Sequence, residues 1–318
     1  MGEIKTSSVL LINVESKKND MLKKVKRHWQ LYFVILLPLV YIIVFHYIPM
    51  YGVQIAFKNY VPTKGIFGSP WVGFKHFETF FKSYQFWRLI KNTVGISFYS
   101  LIAGFPVPII LALSLNAVRN QKFKKVVQMT TYAPHFISTV VMVSIIMQLL
   151  SPRTGLVNKL LGLVGIGPID FMGEAKYFKS IYVWSGIWQS MGFNSIIYIA
   201  ALASIDPSLH EAAIVDGASQ LQRIWYIDIP GIMPTATIML ILSMGQIMNV
   251  GFEKIYLMQN PLNMSTSDVI STYVYRLGLV NAQYSFSAAV GLFNSVVNLI
   301  LLVSVNQFAR KFGETSLW

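Results

Sequence analysis

Six stretches of this chain run for roughly 20 residues without one Asp, Glu, Lys or Arg: Leu31–Ile48, Thr93–Ala117, Val126–Leu150, Ser180–Ile205, Ile232–Gly251 and Tyr284–Phe308. About 20 mostly apolar residues cross the hydrocarbon core of a bilayer as a helix. Uncharged runs of that length are rare in a soluble core. Backbone in lipid must satisfy its own N–H and C=O groups, so such runs fold as helices. The expected fold is an all-α membrane protein with six transmembrane helices, in a permease domain over 30–312. The composition agrees, with 12% charged residues against about 25% in a soluble domain.

Charge placement orients the spans. The net charge of +13 is uneven. Lys5, Lys17, Lys18, Lys23, Lys24, Lys26 and Arg27 crowd a polar tail over 1–29. Beside an apolar run, such a tail reads as a cytoplasmic membrane-surface anchor, not a nucleic-acid arm. Arg119, Lys122, Lys124 and Lys125 form a second cluster between spans two and three. Lys and Arg total nearly evenly on the two sides, so placement decides. It puts both termini in the cytoplasm, the C-terminal piece being 313–318. The first apolar run lacks a small-residue cleavage site and does not read as a signal peptide. There are no cysteines, so no disulfide or thiolate argument arises, and the redox compartment stays open.

The outer segments have patterns of their own. Trp71, Phe74, Phe77, Phe81 and Tyr84 recur at helical spacing. They read as an amphipathic helix in the membrane interface or as a packed surface helix. The stretch "TGLVNKLLGLVGIGPIDF" is Gly-rich and turn-like.

One inner segment, 206–230, is neither span nor plain linker. Ser208, with Glu211 three residues on, spells a capping box after Pro207. The helix it starts should end at Asp216-Gly217, Gly being suited to the left-handed residue past a helix end. Ser219 with Gln222 spells a second box. The helix carrying Leu221, Ile224, Trp225 and Ile229 should then close at Pro230. Ala212, Ala213, Gly217 and Ala218 leave room for another backbone. The segment reads as a structured loop or as a docking element.

"EAAIVDGASQLQRIWYIDIP" resembles the EAA motif of ATP-binding-cassette importer permeases, matching it at Glu211, Ala212, Ala213, Asp216, Gly217, Ala218 and Pro230. The family's usual Phe is Ile224 here and its usual Leu is Ile229. "NTVGISFYS", "WQSMGFNSIIYIAALASIDPSLHEAA" and "SAAVGLFNSVVNLI" look like the carbohydrate-uptake, maltose-type branch. "LLPLVYIIVFHYIPMYGVQIAFKNY" is similar to Bacillus-type permeases for complex polysaccharide and rhamnogalacturonan oligosaccharides. The resemblance covers most of the chain beyond the tail. It implies a type I importer permease fold in a bacterial plasma membrane. It also implies that 206–230 is the coupling loop, docked on a cytoplasmic ATPase, with Glu211 and Asp216 bonding the ATPase or holding the loop's shape. Two ATPase copies, a second homologous permease and an extracytoplasmic sugar-binding protein would complete the assembly. ATP and Mg would be used by the ATPases. This chain would bind no cofactor and catalyse nothing, and it lacks the phosphate-loop pattern G-x-x-x-x-G-K-[ST].

Polar side chains at lipid depth are costly and face cavities or neighbours. Gln246, Asn249 and Glu253, at i, i+3 and i+7, share one face of the fifth span. Asn294 and Asn298 lie at i, i+4 in the sixth, and the fourth offers Trp188, Gln189, Phe193, Asn194 and Tyr198. Amides with aromatics suit an oligosaccharide path; the same amides also serve as links between helices. Glu253 reads as a gate or as an ion pair with Lys254 or another chain. His135, after Pro134, reads as a kink residue before a proton relay. No metal-spaced cluster or nucleophile–base pattern is present. An ion-coupled secondary sugar transporter is the alternative, against which the uncharged spans argue.

Overall fold

The computed structural model describes residues 26–312. The basic tail up to residue 25 and the 313–318 terminus lie outside the described residues. The chain divides into two compact units, Met1–Gln54 and Ile55–Trp318. The first contributes most of an apolar helix, α1 (Trp29–Phe57).

In the second unit α2 (Lys75–Lys82) precedes α3 (Phe86–Gly104) and α4 (Pro106–Ala117). Then come α5 (Gln121–Tyr132), α6 (Thr139–Leu149), α7 (Leu156–Leu163) and the long α8 (Ala175–Ala203). After it run α9 (Pro207–Val215), α10 (Gln220–Arg223), α11 (Ile229–Met244), α12 (Phe252–Met258), α13 (Ile270–Tyr275) and α14 (Tyr284–Phe312). The described residues hold no strand, only an isolated bridge between Lys58 and Trp71.

Among the described residues, four helices are long and apolar enough to cross a bilayer: Trp29–Phe57, Phe86–Ala117, Gln220–Met244 and Tyr284–Lys311. The stretch expected as one span over Val126–Leu150 bends by 102° between Gln121–Phe136 and Thr139–Leu149. Pro134 ends the first arm in a 3-10 turn, and Ser138 caps the second through Val141 N–H. α8 has the length to cross, about 44 Å at 1.5 Å per residue. Its apolar run is diluted by Ser, Gly, Gln and Asn, the price of lining a polar cavity.

α8 is the hub, packing on α3, α4, α5 and α11. Gly192 lets α5 come in: a Cβ there would sit 2.2 Å from the Thr131 carbonyl oxygen. Phe178 with Val143, Ile255 and Val269 fills one core cluster; Tyr198 and Leu202 with Ala112, Ile232 and Ala236 fill another. A third joins Phe80, Leu89, Met248, Tyr273 and Val290. Phe80, outside the expected aromatic stripe, is the residue α2 buries, edge-on to Phe293 of α14 at 5.5 Å. Trp71, Phe74, Phe81 and Tyr84 stay exposed. The Gly-rich stretch after Thr154 does form a helix, α7. Asn158 clamps it, its Nδ2 donating to Leu150, Ser151 and Ile169 carbonyls and its Oδ1 accepting from Ile169 N–H.

Three local expectations are corrected. Asp206, not Ser208, caps α9, its carboxylate accepting from Ser208 N–H with Pro207 in the first turn. Proline suits the first helical position because its missing N–H has no intrahelical partner there, and that moves the cap back two residues. Pro230 does not close the second loop helix. The turn Ile224–Asp228 widens to a π turn and the helix continues into α11. The same pairing of π turn and following proline occurs in α1, with Ile43–Tyr47 before Pro49. A proline ring clashes with the carbonyl four residues back, and the wider turn moves that carbonyl away. Finally, the helix ends at Met244 and resumes at Phe252, so Gln246, Asn249 and Glu253 do not share a helical face. Unwound backbone at this depth needs side-chain partners, and Asn298 Oδ1 accepts from Met248 N–H.

Candidate functional site

Two places gather the polar residues singled out in the sequence. The first is the 206–230 loop. α9 ends at Asp216, and Gly217 follows at φ +77°. Gly217 N–H bonds Ile214 C=O and Ala218 N–H bonds Ala213 C=O, the double bond of a Schellman ending. Ser219 and Gln222 close their capping box in both directions. The loop is therefore two helices joined at a fixed left-handed glycine. Gln220 Nε2 donates to Ala117 C=O, fastening it to the end of α4. His210 Nε2 lies 3.3 Å from the buried carboxylate of Asp228, tying α9 to the π turn. The Asp206 carboxyl is held below its ordinary range by the Ser208 N–H. Sequence reasoning missed His210 and Asp228 as a pair; they sit on two separate helices joined by the Gly217 turn, which hides the contact.

The loop's surface is apolar where a soluble loop would be polar. Leu209, Ile214, Leu221, Trp225 and Tyr226 are exposed, and Val215 is 87% exposed. Glu211, Ala212, Asp216 and Pro230 are exposed beside them, while Ala213 and Ala218 are half-buried. A Cβ on Gly217 would meet nothing within 4 Å, so the turn faces open space.

The second place is a cavity of ≈ 550 Å³ beside α8. Tyr182, Gly186, Gln189, Asn194 and Tyr198 of α8 line it over four turns. Ser97, Ser100 and Gly104 of α3 face them, and Ser243, Gln246, Asn249 and Lys254 come from α11, the unwound segment and α12. Of the expected path residues, Gln189, Asn194, Tyr198, Gln246 and Asn249 meet here. Gln189 Nε2 is engaged with Ile137 C=O at 2.8 Å. Asn294 and Asn298 stand behind the wall: both donate to Asn249 Oδ1, at 2.9 and 3.1 Å, and Asn249 donates to Gln246 Oε1 at 2.8 Å. These four amides form one network that holds the unwound segment on α14. Trp188 and Phe193 do not line the cavity. They lie exposed on other faces of α8, Phe193 stacked 3.9 Å from the ring of His135 at the α5–α6 bend.

Glu253 is exposed and makes no ion pair with Lys254 among the described residues. Lys254 turns inward instead, donating to Tyr182 C=O at 2.9 Å with its ammonium 4.7 Å from the Tyr182 ring centre. It is 9% exposed, and burial lowers its pKa from 10.5 to about 8. Sequence reasoning treated it only as a partner for Glu253, because the helix was carried straight through the break. A second buried charge was also missed: Asp268 is fully buried between Arg88 Nη2 at 3.3 Å and Arg276 Nη2 at 3.0 Å.

Known proteins share this arrangement. Residues 104–314 match the family described as binding-protein-dependent transport system inner membrane component. The chain is 43% identical over 293 residues to Protein LplB of Bacillus subtilis (strain 168), covering 92% of each chain. It is 41% identical over 309 residues to the polygalacturonan/rhamnogalacturonan transport system permease protein YteP of the same organism, covering 97% of this chain and 96% of the other. It also resembles a chain in the crystal structure of a bacterial ABC transporter involved in import of the acidic polysaccharide alginate. That match has 44% identity and a TM-score of 0.85, and covers 92% of this chain and 99% of that one. A further crystal structure, of the bacterial alginate ABC transporter with an alginate pentasaccharide-bound periplasmic protein, matches at 43% identity, TM-score 0.85, over 93% and 99%. The family match over 104–314 and these similarities over most of the length place the chain among the membrane-embedded permease subunits of binding-protein-dependent ABC transporters.

Proposed function

We propose that this chain is one permease subunit of an ATP-driven importer of oligosaccharides released from acidic polysaccharides. It pairs with a second, homologous permease. An extracytoplasmic sugar-binding protein delivers the oligosaccharide. Two cytoplasmic ATPase subunits use ATP and Mg, and this chain itself binds no cofactor. The bent α5–α6 pair and α8 count as spans beside the four long apolar helices, giving six, with both termini and the 206–230 loop in the cytoplasm.

The carrying observation is the loop. Val215, Trp225 and Tyr226 stand exposed on the loop, and a docked partner would cover them. Its rigid two-helix shape, with open space over Gly217, suits insertion into a groove. Glu211 and Asp216, exposed on it, are positioned to bond the groove's rim. The acidic-substrate reading is supported by the names of relatives such as YteP and the alginate importer. The cavity's hydroxyls and amides suit sugar hydroxyls. An ion-coupled transporter gains no support, because the matched family is described as binding-protein-dependent.

The test is a tagged pull-down from native membranes, wild type against Gly217→Asp. Asp tolerates the left-handed conformation better than most residues, so the change places bulk and charge at the turn without unfolding the loop. Wild type should bring down an ATPase and a second permease, and the variant should lose only the ATPase. Wild type with no ATPase in mild detergent sinks the coupling reading.

A further inference from the structure

Resting on the acidic-oligosaccharide reading above, we propose that Lys254 is the carboxylate-recognition residue of the translocation cavity, pairing with the uronate groups of the passing oligosaccharide. The cavity lining holds many neutral polar groups and one charge. Ser97, Ser100, Gln189, Asn194, Gln246 and Asn249 are neutral; Lys254 is the sole ionisable side chain of formal charge in its wall among the described residues. Neutral groups of that kind read hydroxyls and do not distinguish an acidic sugar from a neutral one. A fixed cation does.

The cation is built in and unpaired. Its ammonium carries three donors. Tyr182 C=O takes one and the Tyr182 ring covers another approach. No carboxylate lies within ion-pair distance among the described residues; the adjoining Glu253 points out to solvent. A buried cation with no counter-charge is costly, and in membrane proteins such groups mark substrate paths. With its pKa at about 8 the side chain is still mainly cationic at neutral pH. The space around it is kept open: a Cβ on Gly186 would come within 3.2 Å of Nζ. About 25–32 Å along α8 from the helix end at Ala203 that leads into the loop, Lys254 stands by the Tyr182–Gly186 turn. That is the end by which a substrate from the binding protein would enter under the proposed orientation, so a carboxylate would be met early.

The test uses the complete importer with both permeases, ATPases and binding protein, reconstituted in liposomes. Uptake is measured for trisaccharides of galacturonate, of mannuronate and guluronate, and for the methyl-esterified galacturonate trisaccharide, which is neutral. Three chains are compared: wild type, Lys254→Met and Lys254→Arg. Assembly and ATPase stimulation by loaded binding protein report folding and docking. Lys254→Met should cut uronate uptake about tenfold, the usual scale for one charge-assisted hydrogen bond. It should leave assembly, stimulated ATPase and any ester uptake unchanged, and Lys254→Arg should recover most of the acid uptake. Unchanged acid uptake by Lys254→Met overturns the proposal. So does an equal loss in Lys254→Arg, or an equal loss of ester uptake, since both would mean that the lysine only braces Tyr182. If the wild-type importer takes up no uronate trisaccharide, the acidic-substrate reading fails and this inference falls with it.

Discussion

Lys254 and Asp268 are both buried charges, and they illustrate opposite solutions. Asp268 sits between two guanidiniums and also accepts from Thr272 Oγ1. Asp268→Asn removes the negative charge and leaves two arginines facing each other. The loss should be about 3 kcal/mol, seen as a lowered melting temperature of the detergent-solubilised chain. Lys254 has no counter-charge, so its folded-state pKa of about 8 lies below the unfolded 10.5. Between those values the unfolded chain binds more protons, and stability rises with pH across that window. Below pH 8 the native state bears the full penalty, at most about 3 kcal/mol. Lys254→Met should therefore melt higher than wild type at pH 7, and the difference should shrink as pH rises toward 10. A constant difference across that range would mean that the lysine's charge carries no penalty. Neither residue's role was legible in sequence. Arg88 and Asp268 are far apart in the chain, and Lys254 was read against its neighbour Glu253 because nothing local announces that the helix ends at Met244.

At the scale of elements, what is local was legible and what depends on neighbours was not. The Ser219–Gln222 box and the left-handed Gly217 need only four or five adjacent residues, and both formed as the spacing predicts. The Ser208 cap failed because Asp206 competes for the same helix start and Pro207 decides in its favour. Pro230 as a terminator failed because a π turn provides an escape that a proline rule does not include. α2 has aromatics on several sides: the stripe Trp71, Phe74, Phe81 and Tyr84 stays exposed, as an interfacial helix requires, and the position of α14 selects Phe80 for burial. Removing the box with Ser219→Ala should cost about 1 kcal/mol of local stability. Amide exchange over 219–224 should quicken, while α8 amides keep their protection. Gly192→Val tests the α5–α8 contact. Its side chain would collide with the Thr131 backbone, and the strain should cost about 3 kcal/mol, visible as loss of the monodisperse solubilised chain.

For the whole molecule, the sequence made the solvent plain, since uncharged runs leave lipid as the only fitting environment. It placed the two short capped helices of 206–230 directly after α8. The number of crossings was less legible, because Pro134 and the Ser138 cap bend one apolar run and α8 carries polar residues that line a cavity. Under the proposed pairing, a second permease covers apolar helix faces that this chain leaves open. Expression of this chain alone should then give low yield and aggregated material on size-exclusion chromatography, and co-expression of the second permease should restore a single peak. Equal behaviour with and without the second chain would count against obligate pairing.

The widened turn at Ile224–Asp228 has a mechanical meaning. Because Pro230 does not break the helix, residues Gln220–Met244 form one rod of 25 residues, about 37 Å long. One end lies in the exposed knob and the other carries Met239 and Ser243 into the cavity wall. A rod of this kind works as a crank. Under the proposed coupling, torque applied at the knob would be carried along this helix and reappear at its far end as a rotation of the cavity wall.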